Sequence, residues 1–268
     1  MELDGQHVLI TGASRGIGAA MAKEFGARGA KVSVAARSAD ALRSVAAAVG
    51  GQSFPVDLLD SAAVDGLIPR VEAEAGPIHV LVNNAGLETS AFFHTLDRSV
   101  IRDVTRLNLE APMVLTRAVL DEMLTRNHGH LLFVSSLAGT GGFPGLAAYC
   151  ATKAGLTNFA ATLALELKDT EVGTTVIASG PVDTPMWDSL ENAEQLAPML
   201  TRLRLLRLVP NKSPESIAKV AVDAVASGKP YVGLPRRLGA NHLMRNLPSK
   251  ITGIILAGVP LGPQPKKP

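Results

Sequence analysis

The sequence predicts an α/β protein with a doubly wound, mostly parallel sheet of seven strands and helices on both faces. Short apolar runs alternate with longer stretches of helical periodicity along most of the chain. Strands separated by helices require right-handed crossovers, which build a buried parallel sheet. The first apolar run also passes directly into a glycine-rich turn, Thr11-Gly-Ala-Ser-Arg-Gly-Ile-Gly18, that opens a helix.

The elements follow in order. Residues 7–11 form a short apolar strand, and 16–28 place apolar residues at helical spacing. A strand over 31–35 leads to a helix over 38–49, and a strand over 52–56 to a helix over 61–74. Residues 79–82 give a fourth strand, followed by one long helical stretch over 97–126. A fifth strand over 130–135 precedes a long helix over 147–168, and a sixth strand spans 174–178. Beyond Thr184 the pattern loosens, and 185–209 reads as irregular helix. Ser213-Pro214-Glu215 then starts a clear helix, with serine at the N-cap and proline in the first turn. Residues 231–234 supply the last strand.

With 268 residues the chain can fill the core of one large α/β domain. No Ser/Gly-rich or charged linker divides it, so residues 1–234 read as a single domain and 235–268 as a partly apolar extension. Acidic and basic residues are interspersed with a net charge of +2, which argues against nucleic-acid binding. The single Cys150 excludes an internal disulfide framework and fits a reducing compartment. It sits beside Tyr149 without a neighbouring base, and is expected to be a small packed residue. The N-terminus lacks a basic region followed by an apolar run, and no stretch reaches the ~18 apolar residues of a membrane span, so a cytoplasmic location is expected. The histidines are scattered, and His128-Gly-His130 sits at a turn without an acidic or cysteine companion, so no metal site is expected.

The glycine turn carries the first chemistry. Gly12 can take positive φ, Gly16 lets the backbone approach a pyrophosphate, and Gly18 allows close packing of helix on strand. The helix N-terminus offers free N–H groups and a positive dipole end to phosphates. The second strand ends in Val34-Ala-Ala-Arg37, with no acid to accept from a ribose 2′-hydroxyl. Arg37 and Arg15 can instead clamp a 2′-phosphate, so NADP(H) is expected in preference to NAD(H). Further on, Tyr149-x-x-x-Lys153 places a phenol and an ammonium on one helical face. A nearby ammonium favours the phenolate, and a phenol so tuned can pass a proton at near-neutral pH.

In these motifs the chain resembles the classical short-chain dehydrogenase/reductase family over roughly residues 5–190. Thr11 to Gly18 is similar to the family's TGxxxGxG loop, which implies cofactor contacts at Gly12, Ser14, Arg15, Gly16, Ile17 and Gly18. Asp57-Leu58 follows the third strand where the family's aspartate meets adenine. Asn83-Asn-Ala-Gly86 matches its NNAG motif, implying contacts at Asn84, Ala85 and Gly86. Asn108, Ser136, Tyr149 and Lys153 match its catalytic tetrad, and Ser136 is preferred to Ser135 because it lies thirteen residues before Tyr149. The resemblance implies a Rossmann fold and hydride transfer between a nicotinamide and a carbonyl/alcohol pair. Tyr149 would give or take the proton, and Ser136 would fix the reacting oxygen. Lys153 would hold the nicotinamide ribose and lower the Tyr149 pKa, while Asn108 would hold a water linking Lys153 to solvent. Pro112, four residues after Asn108, removes the usual helical partner of the Asn108 carbonyl, so a kink is expected there.

Gly180, Val182 and Thr184 are implied contacts of the nicotinamide end. Ser179 stands where the family has proline, and a less rigid backbone is expected there. Many tetrameric members finish with a Gly-Gly-containing strand; here Lys229-Pro-Tyr-Val-Gly-Leu-Pro235 is followed by the extension, so that tetramer contact is not assured. The extension, with Arg236, Arg237, Arg245 and Lys250 flanking apolar residues, is expected to pack on its own domain, cover the pocket, pair subunits or touch a membrane surface. A homodimer or homotetramer is implied. A substrate lid is implied over about 185–212, with arginines at 202, 204 and 207. The expected pocket walls, 87–93, 137–146 and 186–208, are largely apolar: Phe92, Phe93, Leu137, Phe143, Met186 and Trp187. They suit an apolar ketone or secondary alcohol, steroid-like, fatty-acyl or aromatic. The rival readings are an extended-type nucleotide-sugar epimerase or dehydratase, opposed by the three-residue gap between Gly12 and Gly16, and a cofactor-binding regulator without turnover, opposed by the intact tetrad.

Overall fold

The computed structural model describes residues 1–193, 196–205 and 210–234. The strands β1 (His7–Thr11), β2 (Lys31–Ala36), β3 (Gln52–Pro55), β4 (Val80–Asn83), β5 (Gly129–Ser136), β6 (Val172–Ser179) and β7 (Tyr231–Leu234) form one sheet in the order β3-β2-β1-β4-β5-β6-β7. Every neighbouring pair is parallel, so the expected mostly parallel sheet is parallel throughout the seven described strands. The chain winds outward from β1 to β3, then returns to β4 on the other side of β1. Connections leave β1 and β4 in opposite directions, which opens a crevice at their carboxyl ends.

Alternation along the strands sorts the core into two layers. Val8, Ile10 and Val34 face helices α1 (Gly16–Ala27), α2 (Ala39–Ala48) and α9 (Pro214–Ala226), where they meet Phe25, Leu42 and Ile217. Leu9, Leu81 and Phe133 face α3 (Ser61–Ala75), α5 (Ala111–Thr125) and α6 (Ala147–Glu166), where they meet Leu67, Leu115 and Leu156. Ser213 caps α9 as its sequence position predicts, accepting from the Ser216 N–H at 3.2 Å.

The long helix expected over 97–126 is not continuous. Helix α4 (Arg98–Thr105) runs into a π-helical turn, Arg106–Glu110, before α5 begins with Pro112 in its first turn. The Ala111 N–H reaches back five residues to the Arg106 carbonyl. Proline supplies no N–H and crowds the preceding turn, and a widened turn is one way a helix absorbs that. The expected kink therefore takes the form of a π-turn, with Asn108 at its centre.

Ser179, expected in a looser backbone, lies in β6 and is paired with Ser136 of β5 and Leu234 of β7. The lid region forms α7 (Pro185–Glu191) and α8 (Ala197–Leu205). Arg202 is exposed on α8, whereas Arg207 and the side chain of Arg204 lie outside the described residues. The extension over 235–268, and the membrane, pocket or subunit contacts expected of it, lie outside them too. No helix among the described residues is long and apolar enough to cross a membrane.

Candidate active site

The crevice is built first by the loops after β1 and β4. Gly12 has φ +66°, and a Cβ there would lie 2.7 Å from the Ala85 Cα, so the turn requires glycine on both counts. The Thr11 hydroxyl donates to the Val82 carbonyl (3.1 Å) and accepts from the N–H groups of Asn84 (3.1 Å) and Ala85 (3.2 Å). The Asn84 amide donates in return to the carbonyls of Thr11 (2.9 Å) and Gly12 (3.1 Å). Asn84 thus acts by tying the two loops together. The end of β6 closes over them: Thr184 caps α7 and reaches to within 3.2 Å of where a Cβ on Gly16 would stand.

The side chains expected to react come from β5 and α6. Alternation puts Ser135 and Ser136 on opposite sides of the sheet. Ser135 is buried and engaged with the Lys153 carbonyl (3.1 Å) and the Thr157 hydroxyl (2.7 Å). Ser136 faces the crevice, accepts from the Ala138 N–H (3.1 Å) and hydrogen-bonds the Tyr149 phenol. The choice of Ser136 thus has a structural reason: Ser135 is committed to the helix behind it. Cys150 is half-buried against the cluster around Leu146 and Tyr149, and burial raises its thiol pKa, as befits a packed residue.

Tyr149 and Lys153 depart from expectation. Burial pushes the phenol up to about 12; Glu88 adds to this, and the Ser136 hydrogen bond opposes it. Burial pulls the Lys153 ammonium down to about 8. The expected near-neutral phenol is not met, because removal from water disfavours the phenolate. Lys153 Nζ lies 5.8 Å from the centre of the Tyr149 ring and donates to the Val134 carbonyl at 2.9 Å.

Asn108 is fully buried. Its Oδ1 accepts from the Leu87 N–H (2.8 Å), and its Nδ2 donates to the Leu87 carbonyl (2.8 Å) and the Thr152 hydroxyl (3.1 Å). A Cβ on Gly86 would lie 3.4 Å from both Asn108 Oδ1 and Lys153 Nζ. The Asn108 side chain therefore clamps the loop after β4 from behind, and Asn108 does not line the crevice.

A single cavity of about 1020 Å³ joins these parts. Gly12, Ser14, Arg15, Gly16, Ile17 and Gly18 line it, with Arg37, Asp57, Leu58, Asn84, Ala85 and Gly86. Ser136, Tyr149 and Lys153 stand beside Gly180, Val182 and Thr184, and beyond them the wall is Leu137, Phe143, Met186 and Trp187. Phe92 and Phe93 are not part of it. They are 45% and 59% exposed at a short 3-10 turn, so the expected wall over 87–93 reduces to Leu87. Sequence reasoning missed Asp103 and Leu107, which the α4–π-turn brings to the cavity; Leu190 and Leu200 of the lid fall within its expected wall over 186–208. It also missed Ser38, which caps α2 by position beside Arg37; its place before an apolar helix was the available signal.

A glycine-lined crevice at the carboxyl ends of β1 and β4, leading to a buried Ser-Tyr-Lys group, defines a dinucleotide-dependent α/β oxidoreductase. The family model of the short chain dehydrogenases matches residues 6–195. The 3-oxoacyl-[acyl-carrier-protein] reductase FabG of Escherichia coli (strain K12) is 33% identical over 210 residues, covering 78% of this chain and 86% of the relative. Nodulation protein G of Rhizobium sp. (strain N33) is 34% identical over 200 residues, covering 74% and 82%. A short-chain dehydrogenase from Streptomyces avermitilis matches with a TM-score of 0.78 at 25% identity, covering 97% of this chain and all of its own. A metagenomic short-chain oxidoreductase solved in complex with NADP matches with a TM-score of 0.71 at 31% identity, covering 87% and 97%. The chain belongs to the short-chain dehydrogenase/reductase family. It is an NAD(P)-dependent alcohol dehydrogenase/ketoreductase acting on CH–OH groups.

Proposed function

We propose that this enzyme interconverts an apolar ketone and its secondary alcohol, with NADP(H) preferred to NAD(H) and residues 1–234 as its catalytic domain. The observation that carries the reading is the continuity of the cavity. It runs from Arg37 and Ser38, past the glycine loop and Tyr149, to an apolar lid wall. The residues present fit a dinucleotide: a glycine turn that a Cβ would block, a helix N-terminus behind it, and a basic end. Ser38 stands at the N-cap of α2 yet makes no side-chain capping bond. Its hydroxyl, the first N–H groups of α2 and the Arg37 guanidinium together suit a 2′-phosphate better than a bare hydroxyl. Val182 and Thr184 would hold the nicotinamide end.

When bound, the nicotinamide supplies or accepts the hydride. The chain's own residues manage the proton. With its pKa near 12, Tyr149 keeps its proton at working pH and is suited to donate it to a carbonyl oxygen. Ser136 would hold that oxygen by a hydrogen bond. Lys153, at about 8, is largely charged at neutral pH beside the ribose position. Leu137, Phe143, Met186, Trp187 and Leu190 support an apolar substrate; the 3-oxoacyl group in the name of the FabG relative is of that kind. A homodimer or homotetramer in the cytoplasm accompanies this reading, any membrane contact falling to the extension.

The test is NADPH oxidation against a panel of ketones. The enzyme should turn over apolar members, and Tyr149→Phe should lower kcat by about 10²–10⁴ while retaining NADPH binding. Undiminished turnover in Tyr149→Phe would remove the proposed proton donor.

A further inference from the structure

We propose that Thr152 is a positioning residue for this reaction, its hydroxyl joining the loop after β4 to the helix that carries Tyr149 and Lys153. The inference rests on the ketoreductase reading above. Thr152 sits between the two reactive residues on α6 and is 4% exposed. Its hydroxyl donates to the Tyr149 carbonyl at 2.8 Å. A threonine has one hydroxyl proton, so the 3.1 Å contact with Asn108 Nδ2 is one that Thr152 accepts.

A threonine inside a helix commonly back-bonds to its own preceding turn, and the bond to Tyr149 is of that kind. The bond from Asn108 is not, because it comes from the π-turn, 44 residues away. Asn108 passes the connection on through two 2.8 Å bonds to the Leu87 backbone. Leu87 directly follows Gly86, which faces Lys153 Nζ. Four hydrogen bonds therefore link the cofactor loop, the π-turn and the Tyr149 turn of α6. Thr152 is the only member of the chain on the catalytic helix besides Tyr149 itself. Removing its hydroxyl leaves Asn108 Nδ2 one partner short in a buried place, where the amide has reason to rotate or shift. Displacing the phenol by about 1 Å is enough to cost up to about a hundredfold in rate.

Thr152→Val keeps the shape and deletes the hydroxyl, while Thr152→Ser restores it. Amide hydrogen exchange at Leu87 reads the junction without any turnover, and steady-state kinetics reads its use. In Thr152→Val, Leu87 should exchange about tenfold faster, because an Asn108 amide released at Nδ2 holds the Leu87 N–H less firmly through Oδ1. Its kcat should fall about ten- to a hundredfold with the ketone KM little changed, and Thr152→Ser should recover both. Unchanged Leu87 exchange, or unchanged kcat, overturns the proposal. So does a joint change of kcat, KM and unfolding midpoint that serine does not reverse, since that is the signature of a purely structural residue. A wild-type enzyme inert toward every ketone would instead sink the ketoreductase reading, and the Leu87 exchange would still decide the junction.

Discussion

Acidification should destabilise this protein through His130, well away from the crevice. His130 is the second residue of β5, 3% exposed in the sheet and within the strand expected over 130–135. Its Nε2 pairs with the Thr175 hydroxyl at 2.8 Å, and that hydroxyl gives its proton to the Lys229 carbonyl at 2.7 Å. The ring must therefore donate from Nε2, which leaves Nδ1 without a proton. Nδ1 faces Gly173 so closely that a Cβ there would lie 2.5 Å away, and no acceptor among the described residues pairs with it. A second proton would place a charge on a ring that is only 3% exposed. Burial accordingly pulls the pKa from 6.5 to about 4, with a smaller contribution from the N-terminal ammonium. Between those values the unfolded chain binds more protons than the folded one, so stability rises with pH. The contribution is complete above about 6.5, is lost as pH falls toward about 4, and changes no further below. At 1.36 kcal/mol per pH unit the loss is about 3 kcal/mol. His7 and His79, lowered mainly by burial, push the same way. Urea unfolding midpoints across this window should fall more steeply for wild type than for His130→Gln, which keeps a neutral donor toward Thr175. Parallel curves for the two proteins would refute the reasoning, because carboxylate titration is common to both.

Two further outcomes bear on the site. Arg37→Ala should weaken NADPH binding about tenfold or more and leave NADH nearly untouched, measured as the ratio of the two dissociation constants; an unchanged ratio would remove the main support for NADP(H). The kcat/KM for ketone reduction, which reports the free enzyme, should fall above about pH 8 as Lys153 loses its proton, with Tyr149 still protonated. A profile flat to pH 9.5 would show that the ammonium charge is not needed.

What was legible in the sequence was local or periodic. The glycine turn is a run of neighbours, Tyr149 and Lys153 share one helical face, and the strands are short apolar runs. Their placement therefore follows from spacing alone. The interruption at Arg106–Glu110 was marked by Pro112, but whether a helix kinks or widens depends on what packs against it. Phe92 and Phe93 look like pocket wall because they are apolar and follow the NNAG loop. Yet apolarity does not say which way a turn faces, and the fold turns them outward. The role of the Asn108 side chain was missed for a different reason. Its partners, Leu87 and Thr152, are far away in the chain, and nothing in its own neighbourhood signals them.

The same distinction explains the reversed electrostatics of the central pair. Reading Tyr149 and Lys153 from their spacing counts only their mutual attraction, which favours phenolate and ammonium together. Folding adds a cost to each charge separately. In this structure both groups are buried, and burial raises the phenol and lowers the ammonium. Burial thus moves the two groups in opposite directions, the phenol up and the ammonium down, as desolvation moves any acid and base. Burial thereby favours the protonated phenol over the phenolate, the form the proposed reduction uses. Carbonyl reduction starts from that protonated phenol, whereas alcohol oxidation requires the phenolate that burial disfavours.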